Sequence, residues 1–192
     1  MITVNNLSFH FGGQVLFKDV DLKFTPGNCY GIIGANGAGK STLMKCLFGM
    51  YAKDDGQIFL EGREINFKNS KEALDNGVAM VHQELNQVLQ QTVLENIWLG
   101  RFETKFGVVN HKKMYDETSK IFEQLNIDIN PDVKIGSLSV SQRQMVEIAK
   151  AVSYNAKVLV MDEPTSSLNE REVEHLFEIL RMLKEQGCGI IY

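Results

Sequence analysis

The octapeptide GANGAGKS, Gly34 to Ser41, fits the pattern G-x-x-x-x-G-K-[ST]. An apolar run, CYGII, precedes it, and Leu43, Cys46, Leu47 and Met50 follow at helical spacing. Glycines let a backbone wrap phosphates with its N–H groups, and the start of the following helix adds positive potential. Lys40 is then placed to reach β and γ phosphates, and the Ser41 hydroxyl to ligate magnesium. The alternative, a glycine-rich turn that holds GKS by chance, is disfavoured by the strand before it and the helix after it.

Further along, VLVMDE is an apolar run that ends in Asp162 and Glu163. A strand-terminal Asp is commonly only a cap or turn former. Together with the phosphate loop it is expected near the magnesium shell, with Glu163 beside it as the base that polarises an attacking water. LSVSQRQ, Leu138 to Gln144, offers a capping box, Ser139 with Gln142, before a helix whose buried face is Met145, Ile148, Ala149 and Val152. A helix start with N–H groups at Val140, Ser141 and Gln142 is also an anion site, since capping and phosphate binding draw on the same donors. Gln83, at the end of VAMVHQ, sits where α/β sheets bind ligands, although alone it reads as a loop glutamine. Phe11 alone reads as a core strand residue, with stacking on an adenine as the functional alternative. His10, His82, His111 and His175 lack ligand spacing and read as surface or loop residues.

These residues need particular elements to hold them. Ile2 to Phe24 alternates as a β ribbon around a Gly12-Gly13 turn, with Leu16, Val20, Leu22 and Phe24 on one face and Phe17, Asp19, Asp21 and Lys23 on the other. Strand, glycine loop and helix follow. QIFLEG reads as a strand, SKEALDNG as a short helix from Ser70 to Gly77, and VAMV as a buried strand. A Thr92/Glu95 capping box opens one helix, and Met114, Ile121, Phe122 and Leu125 line a second. KVLVMD returns to a strand, an Asn169/Glu172 cap starts a long helix that ends at Gly187, and CGIIY is a final buried strand.

The chain of 192 residues, with net charge −4 and no long block of either sign, argues for one α/β domain and against a nucleic-acid stripe or polybasic membrane anchor. Cys29, Cys46 and Cys188 are odd in number and far apart, so they read as reduced thiols packed as small hydrophobes, with a cytosolic setting expected. Neither a leader pattern nor a spanning apolar run is present, so any membrane role is expected to be peripheral.

In order, GANGAGKST, VHQEL, LSVSQRQ and VLVMDEPTSSL resemble the ATP-binding cassette ATPases along essentially the whole chain, and the sugar-importer branch most. The resemblance implies an α/β P-loop NTPase core with an N-terminal antiparallel β ribbon. It places a helical subdomain between the Gln loop and the signature motif, residues ~84 to ~150, which docks on a permease. It also implies a single nucleotide-binding domain over residues 1–192, incomplete at its C-terminus, that binds and hydrolyses ATP with Mg2+. The work is import of a monosaccharide, galactose or methyl-galactoside by the likeness of MYAKDDGQIFLEGREI and VSYNAK.

Residue by residue, Phe11 takes the adenine position, and Gly34, Ala35, Asn36, Gly37, Ala38, Gly39, Lys40, Ser41 and Thr42 take the phosphate loop. Gln83, with Ser41 and Asp162, belongs to the metal shell, and Glu163 is the catalytic base. Ser139, Ser141 and Gln142 belong to the signature, which closes over the γ-phosphate of ATP held by a second cassette. Further partners are an integral-membrane sugar permease and, indirectly, a periplasmic sugar-binding protein, but no nucleic acid. The expected location is the cytoplasmic face of the membrane.

Val140 and Ser141 replace the two glycines of the usual LSGGQ, and Asn169 replaces the usual Asp. The chain also stops at Tyr192, before the family's terminal histidine, which leaves a nucleotide-binding module without useful turnover as the alternative. A cassette acting on DNA or ribosomes is disfavoured, because residues 42 to 138 hold no long coiled coil and no charged linker is present.

Overall fold

Gly12 and Gly13, with φ of 56° and 85°, turn the chain between strands β1 (Ile2–Phe11) and β2 (Gln14–Phe24), which pair antiparallel. The computed structural model describes residues 2–34, 37–82, 85–105, 107–166 and 168–192. β1 does not keep a simple alternation with β2. Leu7 faces Val20 and Phe9 faces Phe17, so β2 carries an extra residue, and Asp19 there has φ 53° with its N–H donating to Ser8 Oγ at 3.0 Å. The bulge reverses which side chains face inward, as an added residue must. Phe17, expected on the outer face, therefore packs on the core beside Val20 and Leu22.

After β3 (Cys29–Tyr30) come helix α1 (Lys40–Leu47), strands β4 (Asp55–Leu60) and β5 (Arg63–Ile65), helix α2 (Ser70–Asp75) and strand β6 (Val78–Val81). Leu43, Met44, Cys46 and Leu47 are the buried side of α1. Met50 does not belong to it and is 45% exposed, because Gly49 at φ 72° has already ended the helix. α2 is capped by Asn69, whose side chain accepts from Glu72 N at 3.0 Å.

The remaining elements are α3 (Val93–Ile97), a two-stranded ribbon β7 (Thr104–Lys105) and β8 (Val108–Val109), α4 (His111–Gln124), a 3-10 turn (Ile135–Ser137), α5 (Val140–Ser153), β9 (Val158–Met161), α6 (Glu170–Glu185) and β10 (Gly189–Ile191). The β7–β8 ribbon had no counterpart in the sequence-based expectations.

By contacts the chain divides into two units. The first comprises residues 1–80, 156–163 and 180–192. It holds an antiparallel sheet in the order β2-β1-β4-β5 and a second sheet in the order β3-β10-β9-β6, in which β10 runs parallel to both β3 and β9. One apolar cluster joins the two sheets to α1: Ile2, Val4 and Leu7 of β1, Ile58 and Leu60 of β4, Leu43 and Leu47 of α1, and Val158 and Val160 of β9. Four-residue β6 and β9 are buried at every position, which explains their unbroken apolar sequences. This is the expected α/β core with its N-terminal ribbon.

The second unit, residues 81–155 and 164–179, is mainly helical. α3 opens with the foreseen capping box, Glu95 N donating to Thr92 Oγ1 at 3.1 Å and Thr92 N to Glu95 Oε2 at 2.8 Å. Met114, Phe122 and Leu125 are buried along and just beyond α4, with Thr118 between them accepting from Trp98 Nε1 at 2.9 Å. The Arg101 guanidinium lies 4.5 Å from the Trp98 ring centre and 3.9 Å from that of Tyr154, and donates to the Ser153 carbonyl at 3.0 Å. Trp98, Arg101 and Tyr154 thus tie the end of α3 to the end of α5.

Candidate functional site

The loop before α1 is shaped by its glycines. Gly37 and Gly39 have φ of 81° and 84°, a region that L side chains rarely occupy, and Gly39 is the residue that immediately precedes the helix. A Cβ on Gly39 would stand 3.2 Å from Phe17 Cδ1, so the bulge that turns Phe17 inward also brings it close under the loop. Lys40 reaches back over the loop, its Nζ donating to Gly34 O at 2.5 Å.

Ser41, one residue into α1, donates from Oγ to Asp162 Oδ1 at 2.9 Å. Asp162 follows β9 directly and is 7% exposed. Glu163 follows at φ 49°, a left-handed conformation that is uncommon for a non-glycine residue and marks local strain. A cavity of about 350 Å³ opens here, lined by Leu16, Gly37, Ala38, Gly39, Lys40, Ser41, Thr42 and Glu163. Backbone donors at a helix start, the Lys40 side chain, the Ser41 hydroxyl and the Glu163 carboxylate therefore line one hollow, with the buried Asp162 carboxylate bonded to Ser41 beside it. That donor set suits a polyphosphate with a hard divalent cation, which takes oxygen ligands such as the Ser41 hydroxyl and the Asp162 carboxylate.

Not all expected residues stand at this wall. Phe11 is 73% exposed and pairs with Gln14 across the ribbon turn, so it is not the core residue it reads as on its own, and it is not among the cavity's lining residues. Ala35, Asn36 and Gln83 lie outside the described residues. Leu16 lines the cavity although its sequence position marks only an alternating strand; the bulge sends Phe17 to the core and leaves Leu16 facing the loop.

Ser139, Ser141 and Gln142 belong to the helical unit. Ser139 caps α5, with Gln142 N donating to Ser139 Oγ at 3.2 Å and Ser139 N to Gln142 Oε1 at 3.0 Å. The Gln142 N–H is therefore not open to an anion, contrary to expectation, because the serine cap has taken it. Val140 and Ser141, as the first two helical residues, keep N–H groups without an intrahelical acceptor. Ser139 Oγ stands 2.9 Å from Ser141 Oγ.

The Ser141 hydroxyl, and secondarily the Asn169 N–H, hold the Glu172 carboxyl below the usual carboxylate range. Sequence reasoning missed Glu172 in this setting. It gave Glu172 a capping role, which stands, since Asn169 N donates to Glu172 Oε2 at 2.9 Å and Glu172 N to Asn169 Oδ1 at 3.1 Å.

Gln144 was also missed. It is buried on the inner side of α5 and its Nε2 donates to the Pro164 carbonyl. A polar residue beside Met145 on the buried face was the available signal. Val152, expected on that face, is only half-buried.

Comparison with known proteins adds three findings. Residues 17–166 match the family model described as ABC transporter. Over all 192 residues the chain is 59% identical to a galactose/methyl galactoside import ATP-binding protein of Photobacterium profundum and 56% identical to the protein of that description in Escherichia coli; it spans 38% of the length of each. A solved ATP-binding cassette of an ABC transporter in its ADP conformation superposes with a TM-score of 0.87 at 29% identity, covering 100% of this chain and 79% of that one.

Proposed function

The chain belongs to the ABC transporter family, and from that premise we propose that it is the ATP-binding and hydrolysing cassette of a monosaccharide importer. Galactose and methyl galactoside are the proposed cargo, because the relatives at 56–59% identity carry that description in their names. The observation that carries the ATPase reading is the 2.9 Å hydrogen bond from Ser41 to Asp162 beside the loop cavity that Glu163 lines.

In this reading the backbone N–H groups of the loop and of the α1 start bind the phosphates, and Lys40 moves its ammonium from the Gly34 carbonyl to them. Ser41 and Asp162 hold magnesium, which neutralises charge on the phosphates when bound. Glu163 takes a proton from the attacking water, with its strained backbone holding the carboxylate at the cavity rim. Phe11, exposed at the end of the ribbon, stacks on the adenine, and Gln83 joins the metal shell.

Ser139 serves a second site, donating to the γ-phosphate of ATP held by another cassette. Residues 1–192 form one nucleotide-binding domain in this reading, with residues ~84 to ~150 as the part that meets a membrane permease. The chain acts at the cytoplasmic membrane face, with a periplasmic sugar-binding protein as indirect partner and no role for nucleic acid. No helix among the described residues is long and apolar enough to cross a membrane, which fits a peripheral subunit. ATP-dependent sugar uptake into vesicles carrying the assembled importer tests this proposal: uptake of galactose but not of an unrelated pentose is expected, and uptake indifferent to ATP contradicts it.

A further inference from the structure

Among the described residues, the non-glycines with positive φ are mostly Asn and Asp, which tolerate it, and Glu61 is the first of the two residues that turn β4 into β5. Glu163, at φ 49°, has neither reason. It also precedes Pro164, and a proline ring pushes the residue before it toward extended backbone. A glutamate held left-handed at such a position keeps that conformation only where the surrounding structure fixes it.

Both of its neighbours are fixed. Asp162 follows β9, is 7% exposed and accepts from Ser41 Oγ at 2.9 Å. Pro164 has no N–H, so its carbonyl is the one backbone group by which it can be hydrogen-bonded. Gln144 takes that carbonyl: it is buried on α5 along with Met145 and Ile148, and its Nε2 donates to Pro164 O. The strain of one left-handed residue and the net worth of one hydrogen bond are of the same order, so removing the bond is enough to let Glu163 leave its conformation.

We infer that Gln144 is a positioning residue for Glu163: by gripping the Pro164 carbonyl it fixes the backbone of the residue before, and so aims the carboxylate at the loop cavity that Glu163 lines. The inference rests on the reading that Glu163 takes the proton of the attacking water. A base displaced by about 1 Å loses about a hundredfold in rate, while ATP, held by the loop, still binds. Gln144 should therefore act on the chemical step and not on affinity.

The test is single-turnover ATP hydrolysis by the importer assembled with its permease and both cassettes, with Gln144→Met and Glu163→Gln combined in a double-mutant cycle. Met has nearly the length of Gln but cannot donate. Gln144→Met should lower the hydrolysis rate about ten- to a hundredfold and leave the ATP concentration that half-saturates it within about twofold. In a Glu163→Gln background, where no carboxylate is left to aim, the same substitution should lower the residual rate by less than about twofold. Gln144→Asn, whose amide is one methylene shorter, should behave as Gln144→Met does.

An unchanged rate in Gln144→Met, an equal fall with and without the Glu163 carboxylate, or loss of ATP binding in both Gln144 variants overturns the inference; the last two results mark a glutamine that serves the fold alone. Glu163→Gln by itself separates the two levels. If it hydrolyses ATP at the unaltered rate, the reading of Glu163 as base fails and the inference with it. If it is slow while the cycle is additive, the inference alone fails.

Discussion

Ser41 and Asp162, separated by 121 positions in the chain, are joined by a 2.9 Å hydrogen bond from hydroxyl to carboxylate. The bond connects the first turn of α1 to the end of β9, and so brings the phosphate loop and the acidic strand end to one place. Two groups that share a cation should lose it together. Ser41→Ala and Asp162→Asn are each expected to weaken magnesium-dependent ATP binding by about tenfold or more, with the double variant far less than additive. Titration with a fluorescent ATP analogue, with and without magnesium, checks this. Additive losses would show that the pair does not act on one ion.

Gln144 donates to the Pro164 carbonyl from a buried position on α5. Gln144→Leu removes that hydrogen bond to the partly buried Pro164, and the loss of one such bond costs about 0.5–1.5 kcal/mol. Urea denaturation should show a lower midpoint with an unchanged slope, whereas the exposed Gln90→Leu should change little.

The three cysteines separate by environment. Burial pushes the thiols of Cys46 and Cys188 up to about 11, and both side chains are buried, while Cys29 is exposed. Sequence composition had put all three inside. A raised thiol value means less thiolate at neutral pH, and thiolate is the reactive form. Labelling of the native chain at pH 7 should therefore modify Cys29 quickly and the other two only after unfolding, as peptide mapping would reveal.

Acid should destabilise the chain through Asp54, Glu61 and Glu172, all three held below their ordinary values. The His10 N–H lowers Asp54, Lys157 lowers Glu61, and the Ser141 hydroxyl lowers Glu172. A depressed carboxyl contributes stability that is fully present above its unfolded value and is lost as pH falls through the folded one. Thermal melting should thus hold steady above the ordinary carboxylate range and decline below it, with a smaller decline in Glu61→Gln. All three groups lie at the surface, so added salt should shrink the effect.

Much of this was legible in the sequence because local rules governed it. The Thr92/Glu95, Ser139/Gln142 and Asn169/Glu172 caps are reciprocal contacts between residues three apart, and all three form as expected. The strand–loop–helix order around Gly34 to Ser41 follows from glycine and apolar spacing alone. What was not legible depends on partners distant in the chain. The bulge at Asp19 rests on a hydrogen bond to Ser8, and only with it does Phe17 turn inward and Leu16 face the loop. Glu172 reads as a cap because nothing local shows that Ser141 lies against it. Met50 continues a helical pattern that Gly49 has already broken, and no periodicity count includes that backbone change.

The central claim is that Glu163 serves as the base of an ATPase built on the loop cavity, and Glu163→Gln tests it most directly. The substitution keeps size and hydrogen bonding but removes the ability to take a proton, and general base catalysis is worth about 10²- to 10⁴-fold. In the assembled importer, the account predicts that ATP still binds with magnesium while hydrolysis falls by about that factor and unhydrolysed nucleotide stays bound. Hydrolysis by Glu163→Gln at the rate of the unaltered protein would contradict it.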